Sequence, residues 1–199
     1  GRVNRDNIAQ VYASVFTYIN TPRYYVQDFI KERLNDFLKL LAGQDYTKIN
    51  EFINGEYKTI INDMKKEHEM RSQLTSDTTK EEFISILKEM YPGSGKTYDS
   101  MINSCVNNLS FDTKQPSLSE LREQFDGLRE QYEVYNLLVQ NFKSEVDTEK
   151  FDNLYNVFLS AYSAAENKDE YMSELSDLIS KNNGISIKDF TKENSVLNN

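Results

Sequence analysis

Tryptophan is absent from the 199 residues, and cysteine and histidine occur once each, as Cys105 and His68. One cysteine cannot close an internal disulfide, and one histidine cannot supply the paired imidazoles of most zinc or di-iron centres. A di-iron bundle needs two Glu-x-x-His pairs, and the residue three before His68 is Lys65. No metal and no cofactor is therefore expected. Chain breakers are scarce too, with seven glycines and three prolines, so long regular elements should dominate. Positive charge is in deficit: 23 Lys and Arg stand against 32 Asp and Glu, a formal net charge of -9. Such a chain is repelled by phosphate backbones, which removes nucleic acid from the expected partners. No run approaches the roughly 20 apolar residues that cross a bilayer, so no direct membrane insertion is expected.

The single cysteine leans toward a reducing compartment such as the cytoplasm, although a large helical core needs no disulfide in any compartment. No targeting segment stands at the start, and one removed upstream of Gly1 fits equally well. Localisation stays open. The length favours one domain over 1–199, with a possible sub-division near 110–117 and a loosely ordered tail at 185–199.

What the chain does have is apolar residues three or four apart almost throughout, the period of amphipathic helices. The fold class expected is all-α, a bundle of about seven or eight helices, with an irregular α-solenoid as the alternative. Asn4 is placed to cap a first helix carrying Ile8, Val11, Tyr12, Val15 and Ile19 on one face. Thr21 and Pro22 open a second, striped by Val26, Ile30, Leu34, Phe37 and Leu41. A third is expected over about 46–73, running through Asn54-Gly55, with Lys65 to Arg71 a solvated extension projecting from the bundle. Thr78 with Glu81 suggests a capping box for a fourth, which ends at Tyr91-Pro92. A fifth follows Thr97 and carries Met101, Ile102, Cys105, Val106 and Leu109 on one face.

The clearest element starts at the Ser117 and Glu120 capping box. Leu118, Leu121, Phe125, Leu128, Tyr132, Tyr135, Val139 and Phe142 follow at alternating three- and four-residue intervals. Phe151, Tyr155, Phe158 and Tyr162 continue on a matching period after a short turn, so residues 117–166 should form a long antiparallel hairpin. Asn167 with Glu170 caps a further helix that Gly184 stops, and Ser186 to Leu197 could form a short last one.

Few segments carry chemistry. Pro92-Gly93-Ser94-Gly95-Lys96-Thr97 ends like a phosphate-binding loop, but Met90 stands where the leading glycine belongs and a helix precedes it where a strand is required. It reads as a helix terminator. Cys105 and His68 could pair as nucleophile and base, yet Cys105 falls on an apolar face and His68 in a charged stretch. Asn182 to Ser186 resembles part of a calcium loop, with Ile179, Lys181 and Phe190 where carboxylates are needed. Glu120, Glu123, Asp126 and Glu130 alternate with Arg122 and Arg129 as on a solvated helix face. Asn108-Leu109-Ser110 matches a glycosylation acceptor whose Leu109 belongs in the core.

No catalytic constellation emerges, and no enzyme is expected. Thirteen tyrosines are the compositional oddity. Tyr24, Tyr25, Tyr132 and Tyr135 fall at or near helix seams and are the candidate interaction residues, since tyrosine packs its ring and keeps a polar tip. The expected function is a noncatalytic interaction or scaffold domain that binds another protein or self-associates. The alternative is a small-molecule-binding domain with a tyrosine-lined pocket between helices.

Overall fold

Helix-capping residues and glycines divide the chain into α-helices. The computed structural model describes residues 4–20 and 28–194, and among these no strand occurs. The chain forms an all-α helical bundle, and the solenoid alternative is not needed. Its contacts cluster in two compact units, Gly1–Glu69 and Met70–Asn199, and the segment 110–117 falls inside the second.

The first unit contains α1 (Arg5–Ile19), α2 (Asp28–Ala42), α3 (Tyr46–Asn54) and most of α4 (Glu56–Ser72). Asn4 caps α1 by accepting from Asn7 N–H at 2.9 Å, and Asp45 caps α3 through Lys48 N–H at 3.1 Å. Val11 and Val15 of α1, Leu34 and Phe37 of α2, Ile49, Phe52 and Ile53 of α3, and Ile60 of α4 form its core. Phe37 and Phe52 stack at 5.2 Å. The expected start of the second helix at Thr21, Pro22 and Val26 lies outside the described residues. Where one long helix over 46–73 was expected, Gly55 separates two, with φ -117° and ψ -92° interrupting the helical path. Tyr12, expected on the core side of α1, is 47% exposed.

The second unit starts within the last turn of α4. Met70 and Leu74 are buried in its core, so the stretch expected to be solvated carries a core residue at Met70. The unit continues with α5 (Lys80–Met90), α6 (Lys96–Asn107), α7 (Leu118–Asn141), a 3-10 turn (Lys143–Glu145), α8 (Glu149–Ala164), α9 (Lys168–Lys181) and α10 (Ile187–Glu193). The capping box of α5 is Thr79 with Glu82, one residue beyond the expected Thr78 and Glu81. Thr78 is instead buried, its hydroxyl accepting from Thr75 N–H at 2.9 Å and its carbonyl accepting from Gln115 Nε2 at 2.8 Å.

Ser117 and Glu120 form the reciprocal capping box expected for α7. That helix packs on α6, α8 and α9, and Leu121, Phe125, Leu128, Tyr135 and Leu138 are buried within the unit. The apolar seam is thus filled by the chain's own helices. Helices α7 and α8 make the expected hairpin. Burial extends to the face read as solvated: Arg129 is 7% exposed, and Asp126 pairs with Arg71 at 2.9 Å. A helix flanked by several neighbours has little face left for water. Nor is the tail loose throughout, because Ile187 and Phe190 of α10 are buried and Phe190 meets the rings of Phe142 and Phe158 edge-on.

Candidate functional site

The densest polar geometry surrounds the loop between α5 and α6. Proline cannot continue a helix, so α5 stops with Tyr91 N–H on the Leu87 carbonyl at 2.8 Å, just before Pro92. Three tyrosine hydroxyls then hold three successive stretches of loop backbone. Tyr98 donates to the Tyr91 carbonyl at 2.5 Å, Tyr132 to Pro92 at 2.7 Å and Tyr135 to Ser94 at 3.2 Å. Tyr91 in turn donates to the Phe125 carbonyl of α7 at 3.0 Å. The rings pack on one another: Tyr91 with Tyr132 at 5.3 Å, Tyr132 with Tyr135 at 5.9 Å and Tyr98 with Tyr135 at 5.7 Å. Phe151 and Tyr155 close the cluster with near-perpendicular rings against Tyr135.

Close packing makes the glycines necessary. A Cβ at Gly93 would lie 2.6 Å from the Tyr98 ring and 3.0 Å from the Tyr135 hydroxyl. Gly95 has φ +101°, which L side chains rarely adopt. Its neighbour Lys96 donates its N–H to Asp147 Oδ1 at 2.9 Å, and Thr97 Oγ1 donates to Asp152 Oδ1 at 3.1 Å. The positive end of α6 therefore already has a carboxylate from the chain itself. The hydroxyl that would hold magnesium in a phosphate loop is committed to Asp152, and the preceding element is helix α5 rather than a strand. The arrangement is a clasp that joins two helices to α7 and α8.

Burial sets the ionisation of the clasp. The Tyr98 phenol is pushed up to about 12, first by burial and then by Tyr132, Tyr135 and Asp99 nearby. Tyr132 and Tyr135 are also raised, chiefly by burial, with the Ser94 hydrogen bond opposing part of the effect at Tyr135. Tyr155 is raised by burial and by Asp152. All four remain protonated at neutral pH.

Of the candidate interaction residues, Tyr24 and Tyr25 lie outside the described residues. Tyr132 is half-buried and Tyr135 is buried, and the structure brings these two together in the clasp. Tyr91, Tyr98, Asp147 and Asp152 complete it and were not singled out by sequence. The available signal was Tyr132 and Tyr135 recurring on a single α7 stripe while Gly93 and Gly95 demanded close backbone approach. Cys105 is buried, donates to the Gln124 carbonyl at 3.4 Å and has its thiol pushed up to about 12 by burial, so it is inert packing. His68 is exposed in the first unit. Asn108 donates its side-chain amide to Gln124 Oε1 at 3.1 Å, beside buried Leu109.

A different surface stands out in the first unit. Tyr12 and Phe16, one helical turn apart on α1, are 47% and 57% exposed, with their rings stacked at 6.4 Å. Ala9 and Ala13 beside them are exposed as well. This stripe faces away from Val11 and Val15, so α1 is apolar on two sides. No protein-family model, curated protein or solved structure matches the chain.

Proposed function

We propose that the chain is a noncatalytic helical interaction domain that binds another protein, or a second copy of itself, through the α1 face bearing Tyr12 and Phe16. The observation that carries this is the stacked, exposed aromatic pair. One side of α1 already supplies Val11 and Val15 to its own core, and among the described residues the second apolar stripe stays half-exposed. Aromatic side chains supply large contact area at low conformational cost, and they dominate the energetics of protein interfaces. The small Ala9 and Ala13 beside them would let a partner helix approach closely. Self-association, if used, would employ this face rather than the α7 seam, which the second unit fills internally.

The test is sedimentation across a concentration series, combined with a photoreactive aromatic placed at position 16. The expected result is a concentration-dependent dimer or a crosslink to a distinct protein, either one lost in Tyr12→Ser. A monomer at every concentration that captures nothing through position 16 overturns the proposal. Stabilisation by one compound of a metabolite panel would favour the small-molecule reading instead.

A further inference from the structure

The chain contains two Asn-Gly pairs, Asn54-Gly55 and Asn183-Gly184, and the fold treats them differently. Asn54 closes α3; its side chain donates to Asn50 Oδ1 at 3.2 Å, and the Gly55 N–H donates to the Glu51 carbonyl at 3.0 Å. Asn183 and Gly184 are exposed in the turn between α9 and α10. There Ile185 N–H donates to the Asn182 carbonyl at 3.3 Å, which makes Asn183 and Gly184 the central residues of a β-turn. Gly184 has φ +88°, as the third residue of a type II turn requires. In such a turn the N–H of that residue stands outside the turn's own hydrogen bond. The Asn183 backbone N–H donates to the Ser180 carbonyl at 3.4 Å, whereas neither the Gly184 N–H nor the Asn183 side-chain amide makes a hydrogen bond among the described residues. A Cβ built at Gly184 would meet nothing within 4 Å, so the turn is uncrowded at this residue.

We infer that Asn183 is a self-modification site, deamidating through attack by Gly184, whereas Asn54 is protected by its helix. Base removes the Gly184 amide proton, and the nitrogen bonds to Asn183 Cγ. The side-chain nitrogen leaves as ammonia, closing a succinimide ring. Water then opens either ring carbonyl to give aspartate or isoaspartate, so one amide is exchanged for one carboxyl group with no change of oxidation state. At Asn54 the same attack first requires Gly55 to leave its hydrogen bond to Glu51 and the helix ends to open. The product matters locally, because it puts a negative charge just beyond the C-terminus of α9, where the helix dipole disfavours it. The isoaspartyl form also lengthens the main chain by one carbon in the turn that leads to buried Ile187 and Phe190.

The test is incubation of the intact folded protein in warm, mildly alkaline buffer, followed by peptide mapping with mass spectrometry and electron-based fragmentation to distinguish isoaspartate. A second sample is incubated in denaturant. The folded protein should convert Asn183 about tenfold or more faster than Asn54, and denaturant should bring the two rates together. Equal rates in the folded protein, faster conversion at Asn54, or no conversion at Asn183 where the denatured chain converts both, would overturn the inference.

Discussion

The two compact units differ in the aromatic rings they leave exposed. In Met70–Asn199, tyrosines converge on the loop between α5 and α6, and their hydroxyls satisfy carbonyls that an irregular segment would otherwise leave bare. In Gly1–Glu69, Tyr12, Phe16 and Tyr46 remain exposed, and the ion pair between Arg33 and Glu56 lies in solvent with both side chains more than 40% exposed. The corresponding pair of the second unit, Arg71 with Asp126, has side chains 12% and 29% exposed. Burying polar groups with partners fixes one arrangement; leaving apolar groups uncovered keeps a surface available. The proposed contact face lies in the smaller unit, which by size alone buries a smaller fraction of its surface.

The sharpest way to break this contrast is to empty the second core. Phe125→Ala removes a fully buried ring that packs on Tyr91, and a loss of about 3–5 kcal/mol is expected in that unit. Hydrogen exchange read separately over 1–69 and 70–199 in the full chain would check it; equal loss of protection in both stretches would mean that they unfold together. Alkaline titration comes next. Tyr98 and Cys105 have folded-state values near 12, above their ordinary 10 and 9, so the stabilisation they contribute is complete below pH 9. It should fall as pH rises from 9 toward 12, because the unfolded chain releases these protons first. Denaturant midpoints across that range should drop for the second unit before any tyrosinate absorbance appears from the clasp.

Gly93→Ala forces the Tyr98 ring and the Tyr135 hydroxyl apart and is expected to cost about 1–3 kcal/mol. A thermal midpoint unchanged by that substitution would mean that the clasp yields more easily than its packing implies. The smallest effect is expected on the exposed face: Phe16→Ser should alter stability by less than about 0.5 kcal/mol while weakening association. Large destabilisation by Phe16→Ser, measured by urea unfolding, would turn the contact face into a structural one.

Much of the helix pattern was legible before any coordinates. Asn4, Ser117 and Asn167 cap the helices they were expected to cap, since an N-cap is a local matter of one side chain and the next turn's amides. The one-residue displacement from Thr78 to Thr79 has a non-local cause, because Gln115 from across the fold engages the Thr78 carbonyl. The break at Gly55 was visible as a dipeptide, but whether a glycine bends a helix depends on what its two halves pack against. The site was less legible. Tyr132 and Tyr135 stood on a recognisable stripe, whereas Tyr98, Asp147 and Asp152 reach the loop from 7 to 55 residues away from their partners. Periodicity says which side of a helix is apolar and not which neighbour covers it, so Tyr12 read as core and Arg129 as solvent.

Amino-acid order alone settled that this chain is helical, that Asn4, Ser117 and Asn167 open three of its helices, and that its phosphate-loop ending lacks the strand such a loop needs, because each of these depends on residues within a turn or two. Tertiary packing alone decided that a lysine amide and a threonine hydroxyl go to two aspartates of α8 and the turn before it, that three phenols hold one loop, and that two rings on α1 stay uncovered. Those outcomes depend on groups distant in the chain competing for the same space, and only the assembled fold brings them within reach.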